Sequence, residues 1–237
     1  MSRHAAFDDY ADAYEQVLNK GVALSGESPD YFAEGRIDHT ASWLQALGVG
    51  SPGRVADFGC GVGNSVPHLR HRFLEARLLG LDVSARSIKR ARHRHGDTAR
   101  FAVVNEDEFA RDHDLVYCNG VFHHITPDSR RECAMLVYEL LVPGGYFALW
   151  ENNPWNPGTR WVMRRIPFDH DAISLAAPEA RSLVSGAGFE VVGTQYCFYF
   201  PRALRAFRPL ERLGHRVPLG AQYCVLARKP ARSSPRG

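Results

Sequence analysis

The sequence predicts an α/β domain on a mostly parallel sheet with an antiparallel pair at one edge, and three observations lead there. Five short β-rich runs occur at 54–58 (RVADF), 77–83 (RLLGLDV), 100–104 (RFAVV), 114–118 (DLVYC) and 145–150 (GYFALW), and a helical or polar stretch follows each of the first four. A glycine-punctuated turn follows the first run. Two later runs, 189–200 (FEVVGTQYCFYF) and 221–228 (AQYCVLAR), are joined by a segment too short for a sheet crossover, so they are expected to pair antiparallel. Parallel sheets of this kind bind ligands outside the carboxyl ends of their strands, which directs attention to the loops after these runs.

Residues 1–48 precede every strand and have helical spacing. Tyr10, Tyr14, Val17 and Leu18 share one face, and Trp43, Leu44 and Leu47 share another. They are read as a helical cap or lid. Residues 49–230 form the α/β domain, with a Pro-, Trp- and Asn-rich insertion at 152–178 placed to overhang the ligand crevice, and residues 231–237 are expected to fray. In LVPGGYF, at 141–147, Pro143 is expected to end a helix and Gly144-Gly145 to turn the chain into the fifth strand.

Composition narrows the function. With 45% hydrophobic residues over 237 positions the chain can bury a substantial core. Its 29 Lys and Arg against 26 Asp and Glu leave a net charge of +3, too balanced to make nucleic acid the expected partner. The amino terminus lacks a secretory pattern and the longest apolar runs fall far short of a membrane span, so a cytoplasmic location is expected. Cys60, Cys118, Cys133, Cys197 and Cys224 form no C-x-x-C pair and read as reduced thiols. No metal-ligand spacing such as H-E-x-x-H occurs; His93 and His95 lie on a basic helix, and no metal is expected.

The chemistry concentrates at 55–65, VADFGCGVGNS, where a strand and an acid lead into glycines at the start of a helix. Glycines let the backbone turn tightly beside a ligand, and a helix start offers free N–H groups. A dinucleotide fingerprint, G-x-G-x-x-G, would need glycine where Asn64 stands. Asp57 would repel a pyrophosphate there but attract an ammonium group. In LGLDVS, at 79–84, Asp82 ends the second strand where a carboxylate can accept both hydroxyls of a ribose, or else cap the following helix.

These motifs, with NGVFHHI at 119–125 and ELLVPGGYFALWE at 139–151, resemble those of class I S-adenosylmethionine (SAM)-dependent methyltransferases, in the type 11/12-like group that acts on small molecules. The resemblance covers about residues 40–228 and implies a Rossmann-like sheet with SAM as cofactor. It places Asp57, Gly59, Cys60 and Gly61 against the methionine moiety, Asp82 on the ribose, Val83 on the adenine face, and Asn119 and Gly120 near the methionyl amine; Tyr14 joins this set from the amino-terminal helices. Where the family usually carries an acid after the third strand, this chain has Asn105, followed by Glu106 and Asp107. The adenine contact then falls to the Asn105 amide oxygen or, with a shifted register, to Glu106 or Asp107.

Methyl transfer from a sulfonium is a displacement that needs alignment and, for some acceptors, removal of a proton. His123 and His124, after the fourth strand, are the candidate bases, although either could pack or cap instead. Glu151 is a candidate for holding a substrate hydroxyl or amine, or a loop cap. Tyr10, Tyr31, Asn152, Trp155 and Phe168 are expected to meet the substrate as parts of an aromatic-walled lid. The Arg- and Leu-rich segment at 201–216 has helical spacing interrupted by Pro209 and reads either as an interfacial helix or, preferably, as a helix packed on the sheet edge. The expected activity is methylation of O, N or C of a small metabolite. The alternatives are cyclisation of the aminobutyryl group of SAM, or a SAM-binding partner protein without catalysis.

Overall fold

The fold comes from a computed structural model that describes residues 26–104, 106–165 and 172–231. In chain order the elements are α1 (Pro29–Ala46), β1 (Arg54–Phe58), α2 (Val66–Arg72), β2 (Arg77–Asp82), α3 (Ala85–His95), β3 (Arg100–Val103), β4 (His113–Asn119), a 3-10 turn (Phe122–His124), α4 (Pro127–Leu140), β5 (Leu141–Asn152), α5 (Pro157–Met163), α6 (Ala177–Gly186), β6 (Glu190–Cys197), a 3-10 segment (Arg202–Leu210), the single-turn α7 (Glu211–Gly214) and β7 (Gln222–Arg228).

The seven strands form one sheet in the order β3-β2-β1-β4-β5-β7-β6. The first five are mutually parallel; β7 runs antiparallel to β5 and β6. The strand order reverses direction between β1 and β4, and the crevice of such a sheet opens at that switch point.

Alternation along the strands builds a core on each face. Ala56, Phe58, Val116, Cys118, Phe147 and Leu149 pack on one side with Ala134, Val137 and Leu140 of α4 and Ala180 and Val184 of α6. Val55, Leu115, Tyr117, Ala148 and Trp150 face the other way, toward Leu69 of α2, Ile88 of α3 and Ile37, Ala41 and Leu44 of α1. Helix caps mark two of the entries: Ser28 Oγ accepts from Tyr31 N–H at the start of α1, and Ser84 Oγ from Ser87 N–H at α3.

The structure corrects three expectations. The part of the 1–48 cap that is described, α1, lies directly on the sheet: Ile37 and Leu44 are buried, and Trp150 Nε1 donates to Thr40 Oγ1 at 2.9 Å. Residues 29–46 therefore belong to the α/β layer. Segment 201–216 is not one continuous helix. Pro209 lacks the N–H a helix needs and Leu204 departs from helical angles, which leaves 3-10 turns and the short α7, with Leu204, Phe207, Leu210 and Leu213 exposed. Finally, β5 begins directly after α4 at Leu141. It absorbs the expected turn as a register shift, with Gly144 at φ 87° donating its N–H to Lys229 O at 2.9 Å.

All five cysteines are free. Among the described residues, no helix is long and apolar enough to cross a membrane.

Candidate functional site

A cleft of about 1830 Å³ opens at the carboxyl ends of β1, β2 and β4, larger than the few hundred to about 1,000 Å³ typical of a single small-ligand pocket. Its floor is the loop after β1. Gly59 adopts φ 76° and Gly61 φ 53°, angles that L side chains rarely take. At Gly59 there is a second reason for glycine, since a Cβ would stand 2.3 Å from Val121 Cγ2, so the loops after β1 and β4 interlock. At Gly61 a Cβ would meet nothing within 4 Å, and the loop faces open space. The N–H groups of Gly59 and Cys60 both donate to Leu81 O, fastening this loop to β2.

Asp57 is 4% exposed and its Oδ2 has no hydrogen-bond partner. Burial, with the Asp82 charge adding to it and Arg36 partly offsetting it, pushes its pKa up to about 7. A buried acceptor left open at the floor of a cleft is suited to a cationic donor. Asp82 is half-buried at the end of β2. Its Oδ2 accepts from Gly61 N–H at 2.8 Å and its Oδ1 from Ser84 N–H at 2.9 Å, so it both shapes the glycine loop and turns the chain into α3. Val83 is exposed beside it, and Asn119 and Gly120 complete the wall from β4.

The His-His pair divides. His124 is half-buried and lines the cleft. His123 turns inward: it is buried, with Nδ1 2.5 Å from Oε2 of the equally buried Glu151. Glu151 Oε1 accepts the Phe122 N–H at 2.8 Å. Burial alone would raise the Glu151 pKa, but His123 and the Phe122 N–H hold it below the ordinary carboxylate range. Glu151 is therefore placed to brace the loop after β4, not to meet a substrate hydroxyl or amine, because both oxygens are engaged beneath the surface.

Arg36 of α1 is a cleft residue that the sequence reading did not single out. It is buried, its Nε donates to Tyr117 Oη at 3.1 Å and its Nη1 to Gln222 Oε1 at 3.0 Å, while Gln222 Nε2 donates to Asn152 Oδ1 at 3.1 Å. This chain of bonds places a positive charge near Asp57 and accounts for Asn152, which stands one link behind the wall. An arginine amid the apolar face of α1 was the available signal.

The remaining expected residues lie elsewhere. Tyr31 packs edge-on to Phe32 and Phe198 under the Arg208 guanidinium, joining α1 to the β6 end. Trp155 is exposed and is not part of the cleft wall. Glu106 is exposed after β3, and Asp107 bends back to accept from Val103 N–H and from Arg92. Tyr10, Tyr14, Asn105 and Phe168 lie outside the described residues.

Residues 56–147, which hold the glycine loop, Asp82 and the His-His turn, match the family described as Methyltransferase domain. Over that stretch the chain is similar to class I SAM-dependent methyltransferases. The chain is 37% identical over 132 residues to trans-aconitate 2-methyltransferase of Deinococcus radiodurans, a match covering 55% of this chain and 45% of the relative. It spans about half the length of the curated relatives it matches. The fold is similar to that of a TehB-like SAM-dependent methyltransferase from Corynebacterium glutamicum, with a TM-score of 0.60 at 17% identity over 95% of this chain and 98% of that one. It is also similar to a SAM-dependent methyltransferase from Mesorhizobium loti, with a TM-score of 0.55 at 20% identity over 81% and 99%. SAM is the cofactor that the methyltransferase-domain match implies, and the orphaned Asp57 oxygen, the open cradle at Gly61 and the half-buried Asp82 carboxylate fit it.

Proposed function

We propose that this protein transfers a methyl group from SAM to a small-molecule acceptor by direct displacement. The observation that carries the reading is Asp57, a buried carboxylate with an unpartnered oxygen beside the glycine loop. Asp57 holds the methionyl ammonium, Asp82 takes the ribose hydroxyls, and the glycine loop from Gly59 to Gly61 lies along the methionine chain. The bound cofactor supplies an electrophilic methyl group. His124 stands in the cleft wall and accepts the acceptor's proton when that acceptor is a hydroxyl or a protonated amine, while His123 and Glu151 fix the turn that carries it. The remaining volume of the cleft admits the acceptor, and trans-aconitate, named in the relatives, is the first to assay.

Calorimetric titration with S-adenosylhomocysteine (SAH), followed by product analysis with candidate acceptors, tests the proposal. SAH binding and SAH as the product are expected. With a hydroxyl or protonated-amine acceptor, His124→Gln should lower turnover roughly 100-fold or more with SAH affinity nearly unchanged. Absence of SAH binding would overturn the reading, and release of methylthioadenosine in place of SAH would replace methyl transfer with cyclisation of the aminobutyryl group.

A further inference from the structure

His39 of α1, Cys197 at the end of β6 and His215 just after α7 converge behind the sheet: one ligand atom from each lies within 4.8 Å of the other two. None of them lines the cleft. They are distant in sequence, which is why no motif announced them.

The surroundings hold this trio in place. Cys197 is buried, and Gly220 crosses its backbone so closely that a Cβ at 220 would stand 2.5 Å from Cys197 O. The next residue, Phe198, adopts φ 63°, a left-handed conformation uncommon for an aromatic residue, and turns the chain immediately beyond the thiol. His215 O accepts from Tyr196 N–H at 2.8 Å, tying the loop after α7 to β6. The His39 ring lies 5.6 Å from that of Trp150 and 4.8 Å from that of His215, and its Nε2 is a buried nitrogen with no hydrogen-bond partner. The Gln195 side chain stands beside the same ring, where an outer partner can orient a ligating imidazole.

We propose that His39, Cys197 and His215 bind a divalent transition ion of the zinc class, at a site distinct from the cofactor cleft, which staples α1 to the β6 edge. Two imidazoles and a thiolate are a ligand set that borderline-soft ions favour over magnesium or calcium. In a tetrahedral zinc site the ligand atoms stand about 3.4–3.6 Å apart, so the trio contracts by about 1 Å on binding. Cys197 exchanges its S–H proton for the metal–sulfur bond and releases that proton to solvent, with no change of oxidation state. Half-buried His215 gives the ion a route in, and water completes the coordination.

The full chain, freed of metal by chelation, is titrated with Co²⁺ and then with Zn²⁺. One equivalent of Co²⁺ should bind with a thiolate-to-cobalt charge-transfer band, which Zn²⁺ then displaces while raising the thermal midpoint. Cys197→Ser should abolish the band and the zinc-dependent midpoint shift. His215→Asn, at a half-buried position, should weaken Co²⁺ binding at least 10-fold, and Gln195→Ala about 10- to 100-fold. A cooperative thermal transition in each variant establishes that it is folded. Absence of the band in the unmodified chain, or its survival in folded Cys197→Ser, would overturn the site.

Discussion

Two carboxylates end neighbouring parts of the sheet, and their environments are opposites. Asp57 in β1 and Glu151 in β5 are 4% and 1% exposed. Glu151 has both oxygens occupied and a lowered pKa; Asp57 has an oxygen with no partner and a pKa pushed up to about 7. Burial alone thus says little about role. A buried acid with every lone pair answered holds the fold together, whereas one left unanswered costs stability until a ligand arrives.

The largest expected effect lies on the answered side. Glu151→Ala removes the carboxylate that the buried His123 Nδ1 and the Phe122 N–H share and should cost about 3–5 kcal/mol in denaturant unfolding. A loss below about 1 kcal/mol would erase the contrast. Next, Asp82→Ala should weaken SAH binding by about 1.5–3 kcal/mol, or roughly 10- to 100-fold, because it removes a charged acceptor that also shapes the glycine loop. An unchanged titration would remove Asp82 from the site.

Asp57 gives a pH signature. Its folded pKa of about 7 lies above the ordinary 3.8, so the folded state holds the proton more tightly. This group therefore favours folding most below about pH 4, and the contribution is lost as pH rises through about 7. Ligand binding runs the other way. The ammonium of SAH needs the ionised carboxylate, so affinity should fall by up to about 10-fold per unit as the solution is acidified below that pKa. Asp57→Asn should flatten this dependence without lowering the thermal midpoint at pH 8. The smallest effect is expected from Gln222→Ala, which loosens Arg36; the SAH pH profile should then move upward by less than about one unit as Asp57 loses part of its compensating charge.

The strands were legible because β-rich runs are bounded by Gly, Pro and charged residues, and β1 falls on the expected 54–58. Asp57, Gly59, Gly61 and Asp82 were legible because one local segment and one strand end carry them. The pairing of His123 with Glu151 joins residues 28 apart, and the bond from Arg36 to Gln222 spans 186. Such contacts depend on which strands become neighbours, and local periodicity does not contain that information. Pro209 marked the break in the 201–216 segment, but the leucine spacing suggested packing on the sheet edge, whereas Leu204, Phe207 and Leu210 are exposed.

The position of β7 has a consequence for biosynthesis. Among the described strands β6 has β7 as its sole sheet neighbour, and β7 in turn separates it from β5. During translation β6 leaves the ribosome first and has no sheet edge to join until residues 222–228 follow. Those residues include Tyr223, Cys224, Val225, Leu226 and Ala227, all completely buried once inserted. A nascent chain halted before 222 would expose the β5 edge and carry β6 unpaired, the kind of species that chaperones retain and that aggregates when released.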